Sequence, residues 1–382
     1  MRAEWLLCRE QQVEPQVLPI AHAPREIGVD ALGDAAGQGF GPGGVRGRAQ
    51  GGIRRGAHRG GLRIGAGKGC RFAAGRDRGQ DSTVTPDAPD PMTLSRTSSL
   101  FLSSARSREE LDRDYSPSLF VDSLPAVIGD WGRRTALVKA RHAGRLRSDL
   151  AYGPHPRERI DYFRAANPSG ALLVYLHGGF WQHVSKEESG FLAPGWVEAG
   201  VDVAVMDYAL APEVTLPAIV AQARRGLSWL LSEAATLGFD PGRVVVAGHS
   251  AGAHLAAMTQ IGAAVPLRGL ALLSGVFELE PVRRSYVNEA VGMDEAAAAA
   301  LSPARQDPAR PLPLLVAVGE REPVAFQEQG RLLAWNWREA GCPVEWRLLP
   351  RHTHFSLLDD AGDPSSPLGR GIAELLGMEE RR

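Results

Sequence analysis

The chain has 382 residues, and 43 lysines and arginines balance 44 aspartates and glutamates to a formal net charge of −1. Such a balance gives no electrostatic case for nucleic acid or an anionic membrane as partner over the whole chain, and 3 cysteines are too few for a disulfide framework or a zinc site. No apolar run approaches the ~18–20 residues that span a bilayer, and Met1–Glu10 lacks the apolar stretch of a secretory signal, so a reducing, cytoplasmic setting is expected.

Residues 1–91 differ from the rest. Runs such as Gly41-Pro42-Gly43-Gly44-Val45-Arg46-Gly47 and Arg54-Arg55-Gly56-Ala57-His58-Arg59-Gly60-Gly61 have no helix or strand period, and aromatics are almost absent. Such a segment cannot bury enough surface to fold. It reads as a disordered tail, an RNA-binding Arg-Gly arm, or upstream sequence preceding a true start at Met92. The last of these is favoured, and the arm is weakened by the lack of aromatics to stack bases. Gly39, Gly41 and Gly44 fit G-x-G-x-x-G, but no strand precedes them and Pro42 lies inside, which excludes a dinucleotide site.

From Met92 to the C-terminus the pattern is one continuous α/β series. Ser107 caps a short helix beginning at Arg108-Glu109-Glu110-Leu111, and Tyr115 begins an irregular stretch. Arg159–Phe163 reads as an early antiparallel strand. Ala171–Leu176 is a buried strand that opens into His177-Gly178-Gly179-Phe180-Trp181. Val201–Tyr208 is another, followed by a proline-rich turn. Apolar residues at helical spacing over Ala218–Leu237 predict a helix covering one sheet face. Val244–Ala247 runs into Gly248-His249-Ser250-Ala251-Gly252 and a small-residue helix. Leu267–Ser274 is the next strand. The insertion from Gly275 to Pro303, with Tyr286, Asn288 and an alanine-rich helix Glu295–Leu301, is expected to cap the site. Leu312–Val318 leads to Gly319-Glu320-Arg321-Glu322-Pro323, and Val344–Pro350 leads to Arg351-His352-Thr353-His354-Phe355. Strands alternating with helices predict a mostly parallel, doubly wound sheet with its site at the carboxyl ends of the strands.

Each loop offers one part of an acyl-transfer apparatus. In G-x-S-x-G between a strand and a helix, Gly248 and Gly252 make room for a sharp turn that raises Ser250, hydroxyl exposed, as a nucleophile. The N–H of Ala251 then points at a developing oxyanion, and the adjacent Gly178 and Gly179 let further backbone N–H groups approach the same oxygen. A serine hydroxyl needs a base and an orienting acid. His354 is the candidate base, with His352 a surface imidazole. Glu322, the third residue after Gly319, is the candidate acid, with Glu320 a competing loop charge. The order Ser, acid, His, each at the end of its own strand, supports this set. Phe180 and Trp181 are candidates for a flat aromatic wall at the substrate, or for packing that loop onto the body. No metal or organic cofactor is needed, because side chains and backbone supply the whole cycle.

The motifs His177–Trp181, Gly248–Gly252, Gly319–Pro323 and His354-Phe355 resemble the α/β-hydrolase superfamily. The H-G-G-x-W form resembles the kynurenine formamidase (arylformamidase) and related esterase group. The segments Asp149–Gly153, Ser185-Lys186-Glu187 and Asp207–Glu213 are also similar to that group, and the resemblance runs from about Met92 to the C-terminus. It departs at Glu322, where the family more often has Asp. It implies a serine hydrolase acting on a small-molecule acyl substrate through an acyl-enzyme, either an aryl formamide such as N-formylkynurenine or a short-chain ester. A non-catalytic ligand-binding protein on the same fold is disfavoured because Ser250, Glu322 and His354 are all present. Acyl length and oligomeric state are not legible.

Overall fold

A computed structural model describes residues 106–378. The segment 1–91 and the expected start at Met92 lie outside them. The described residues form one eight-stranded sheet, β1 (Leu146–Ala151), β2 (Arg159–Phe163), β3 (Leu172–Leu176), β4 (Asp202–Met206), β5 (Val244–His249), β6 (Gly269–Leu273), β7 (Leu314–Gly319) and β8 (Val344–Leu349). Their spatial order is β1-β2-β4-β3-β5-β6-β7-β8. β1 pairs antiparallel with β2 and β2 with β4, and every later pairing is parallel.

The central strands are buried along their whole length, which is why they read as continuous apolar runs rather than alternating ones. Their side chains still alternate between two cores. Leu172, Val174, Val246, Leu270, Leu272 and Val316 face one, and Leu173, Tyr175, Val245, Ala271, Leu273 and Leu315 face the other. Each such side chain contributes about 1.5–3 kcal/mol by leaving water. The helix Leu216–Ser232, continued by the short Ala234–Leu237, buries Ile219, Ala223, Leu227 and Leu230 against the first core, so the expected Ala218–Leu237 helix is two helices.

Two elements depart from the sequence reading. The stretch after Tyr115 contains an 18-residue helix, Leu124–Arg141, capped by Ser123, whose Oγ accepts from the Ala126 N–H. β1 is a polar edge strand with a register shift between Arg147 and Leu150. The Ser107 cap is present as a full capping box on the helix Arg108–Asp114. The insertion folds as short helices at Glu280–Arg283, Asn288–Val291 and Glu295–Ala300. It is tied to the body by His254 Nε2 at 2.8 Å from Leu301 O and by Gln182 Nε2 donating to Val287 O.

Candidate active site

Ser250 sits between β5 and the helix Ala251–Met258 at φ 54°, ψ −117°. That is a strained geometry for an L-residue, and the Ser250 N–H donates to Leu273 O at 2.8 Å. The glycines of the motif are required by close approach rather than by φ. A Cβ on Gly248 would lie 2.3 Å from Gly252 O, and one on Gly252 would lie 2.1 Å from Leu176 O. Ala251 opens the helix, where N–H groups have no intrahelical acceptor.

Glu322 and His354 follow β7 and β8, and their side chains are fully buried together. Glu322 Oε2 is 2.7 Å from His354 Nδ1. The other oxygen, Oε1, accepts from the Ser274 hydroxyl at 2.5 Å and the Gly319 N–H at 2.6 Å. A carboxylate at Nδ1 holds the proton on that nitrogen and leaves Nε2 as the acceptor. His354 and Ser250 line one cavity. Glu320 points elsewhere, its Oε2 accepting from the Arg351 N–H, and His352 Nε2 lies 3.4 Å from Asp360.

His249, next to the serine, places Nε2 2.7 Å from His354 O, with the two rings 4.6 Å apart. Burial, reinforced by the charge His354 can carry, holds the His249 imidazolium form well below its usual range. The neutral ring therefore donates from Nε2 to the His354 carbonyl and fixes the backbone of that residue.

The His177–Trp181 turn is also strained. Gly179, Phe180 and Trp181 have φ of 93°, 48° and 60°. A Cβ on Gly178 would lie 2.9 Å from His249 Nδ1 and 3.2 Å from Ser250 Cβ, so this turn packs directly on the elbow. Residues after β4 hold it. The Tyr208 hydroxyl donates to His177 O at 2.7 Å, and its ring stacks on His177 at 4.1 Å. Asp207 Oδ1 lies 3.1 Å from His177 Nε2 and accepts from Arg157 Nη2, which also donates to Val184 O. Burial first, then the Asp207 charge, raises the Tyr208 phenol well above its ordinary range, so it stays a donor.

The cavity is narrow, with ≈ 30 Å³ open to the centres of water-sized spheres. Its polar lining includes His177, Glu188, His249 and Ser250, and its apolar walls include Leu124, Ile128, Trp131, Phe180 and Phe355. Two expectations change. Ser250 is 2 % exposed rather than raised into solvent, because the helix Leu124–Arg141 roofs the site. No residue of 275–303 lines this cavity, so the roof comes from the N-terminal side. The two readings open for Phe180 and Trp181 divide between them: Phe180 lines the cavity, while Trp181 is fully buried, edge-on to His254 at 5.0 Å.

Sequence reasoning missed Ser274, Arg157, His249 and the roof residues as parts of the site. Ser274 was legible as the residue ending a predicted strand beside the acid's strand. Arg157 had no local signal, since its partners lie 27 or more positions away. Among the described residues no cluster of His, Cys, Asp or Glu could hold a metal ion, and no helix is long and apolar enough to cross a membrane.

A sequence profile for the alpha/beta hydrolase fold matches residues 173–358. The kynurenine formamidase of Danio rerio is 30% identical over 288 residues, 71% of this chain and 97% of that protein. The kynurenine formamidase of Drosophila melanogaster is 27% identical over 70% of this chain and 97% of that protein. A crystal structure from Silicibacter sp. TM1040 superposes with TM-score 0.64 at 29% identity, over 69% of this chain and 99% of that one. An esterase from Pyrobaculum calidifontis shares the fold, with TM-score 0.56 at 21% identity over 67% of this chain and 94% of that one. The chain belongs to the α/β-hydrolase family and is a serine hydrolase of the formamidase and esterase type.

Proposed function

We propose that the enzyme hydrolyses an aryl formamide, N-formylkynurenine being the candidate substrate, with Ser250 as nucleophile, His354 as general base and Glu322 as its orienting acid. The observation that carries the site assignment is the 2.7 Å contact between Glu322 and His354, with His354 and the strained Ser250 elbow opening on one apolar cavity. Similarity to kynurenine formamidases over nearly their full length supports the substrate. The substrate is small and acyl.

In this reading His354 Nε2 takes the Ser250 proton as Oγ attacks the formyl carbon. Glu322 keeps the ring in the required tautomer and stabilises the imidazolium. The N–H groups of Ala251 and of the Gly178-Gly179 turn bind the oxyanion, each such donor supplying ~10²–10³ in rate. Collapse of the tetrahedral intermediate breaks the C–N bond, and His354 protonates the departing arylamine nitrogen. Water then repeats the cycle and releases formate. The aryl portion lies along Phe180 and Trp131.

A small-ester hydrolase uses the same residues, and esterases share the fold. The deciding experiment compares kcat/KM on N-formyl-L-kynurenine and on p-nitrophenyl acetate, with Ser250→Ala as control. A formamide value of ~10⁴ M⁻¹s⁻¹ or above supports the proposal. Fast ester turnover with negligible formamide cleavage overturns the substrate and leaves the esterase.

A further inference from the structure

The cavity wall contains one charged group that the acyl-transfer cycle does not use. Glu188 lines the pocket that holds Ser250 and His354, and its Cγ lies 4.0 Å from where a Cβ on Gly132 of the roof helix would sit. It is held in place locally. The Ser185 hydroxyl donates to Glu188 Oε2 at 2.7 Å, while Ser185 Oγ accepts from the Glu187 N–H. Among the described residues nothing donates to Glu188 Oε1, and Glu188 joins no ion pair.

The neighbouring cations are committed elsewhere. Lys139 Nζ lies 2.7 Å from Asp161 and also pairs with Glu187. Lys186 pairs with Asp149 at 2.9 Å, with Asp161 at 3.2 Å and with Glu187. Both ammonium groups are thus engaged by carboxylates other than Glu188. The other polar lining groups are likewise engaged. His177 is engaged by Asp207 and the Gly178 carbonyl, and the Ser189 hydroxyl donates away to Ser185 O. A half-buried carboxylate with an open oxygen, in an apolar cavity, is a receptor for a cation.

We infer that Glu188 is a specificity-determining residue that binds a primary ammonium group on the leaving-group side of the substrate, so that the preferred substrates are amine-bearing aryl acyl compounds. This rests on the reading of the cavity as the active site, and it deepens the proposed function by naming a charge the substrate must carry. Because the contact is made in both ground and transition states, it is felt in KM more than in kcat.

The test uses the full chain and two matched substrate pairs. One pair is an aryl formamide with a side-chain primary amine and its alkyl counterpart. The other is O-acetyltyramine and 4-ethylphenyl acetate. Wild type should prefer the ammonium member of whichever pair it cleaves by about tenfold in kcat/KM, the scale of one charge-assisted hydrogen bond. Glu188→Gln should erase that preference through a KM rise on the ammonium member larger than any change on the neutral one, and Glu188→Asp should restore part of it. Raised salt should shrink the wild-type preference. Equal losses on both members in Glu188→Gln would mean a structural role and would overturn the inference. So would absence of any preference in wild type, a result that stands even if the variant folds poorly. Cleaved formamides without a charge preference sink this inference and spare the formamidase reading. Uncleaved formamides with a Glu188-dependent preference in the ester pair do the reverse.

Discussion

The Ser274 hydroxyl donates to Glu322 Oε1 at 2.5 Å, on the carboxylate oxygen opposite the one that meets His354. The acid is therefore held from behind by a side chain as well as by the Gly319 N–H. Ser274 itself has φ 48°, in the left-handed region. Removing the hydroxyl leaves a single donor on Oε1 and lets the carboxylate rotate away from the imidazole. Ser274→Ala and Ser274→Gly should each lower kcat about tenfold, from the loss of one hydrogen bond to a charged group, with KM little changed. The two differ in stability. Glycine relieves the positive φ, so Ser274→Gly should unfold at higher urea than Ser274→Ala, by about 1 kcal/mol. Steady-state kinetics beside urea melts read both effects. Unchanged kcat in both variants would remove Ser274 from the site.

Glu320 and Glu322 are two positions apart and face different partners. Glu322→Gln presents an amide where His354 Nδ1–H needs an acceptor, and the Ser274 and Gly319 donors favour keeping the amide oxygen on their own side. The NH₂ group then faces His354, the ring takes the wrong tautomer, and kcat should drop ~10²–10⁴. Glu320 touches the Arg351 N–H in an exposed loop, so Glu320→Gln should stay within about twofold, the range of a surface substitution. Labelling of Ser250 by a fluorophosphonate should follow the same order. The reverse order would exchange the two assignments.

His354 should matter more to amides than to esters. An arylamine leaves only after protonation, whereas an activated phenolate leaves without it. On a formanilide and a matched aryl formate, His354→Ala should cost the amide at least about tenfold more in kcat/KM. Equal costs would place proton delivery on another group.

How much of this was legible depended on whether a residue's role was written in its neighbours. Ser250, His354 and the Gly178-Gly179 turn are announced by the apolar strands just before them, because a buried parallel strand leaves a nearly unbroken hydrophobic run. The roof helix Leu124–Arg141 has its inward positions at Leu124, Ile128, Trp131, Thr135 and Val138, a helical stripe. Gly129 and Gly132 interrupt that stripe, and the Ser123-Leu124-Pro125 start is the signal that identifies it. β1 has almost no apolar period, since it is an edge strand with most residues exposed. Trp181 could not be placed by sequence at all. Phe180 and Trp181 both have positive φ, yet one lines the cavity and the other enters the core, a difference set by tertiary packing that the residue types do not predict. Glu188 has no local signal in the sequence, because only tertiary contacts leave its Oε1 open.

The helix Ala251–Met258 also contains a pH liability. His254 is fully buried, with Nε2 at 2.8 Å from Leu301 O and Nδ1 lacking any partner. A second proton would leave a charge and an unpaired N–H in the core, and burial accordingly pushes the His254 pKa down to about 4 from an ordinary 6.5. Above 6.5 the ring is neutral in both folded and unfolded chains, and stability does not depend on it. As pH falls below 6.5 the unfolded chain binds a proton that the folded chain refuses, so stability is lost progressively until about pH 4. The full loss from this one group is about 3 kcal/mol. His249, held neutral by burial beside His354, adds a loss of the same sign. His254→Gln keeps a donor for Leu301 O and cannot titrate, so its stability should fall less over that window. Urea melts of both proteins at several pH values give the comparison. Wild type should lose ground to the variant on acidification below 6.5 and hold a constant gap above it, and a gap that is constant throughout would mean that His254 is protonated in the folded protein as readily as in water.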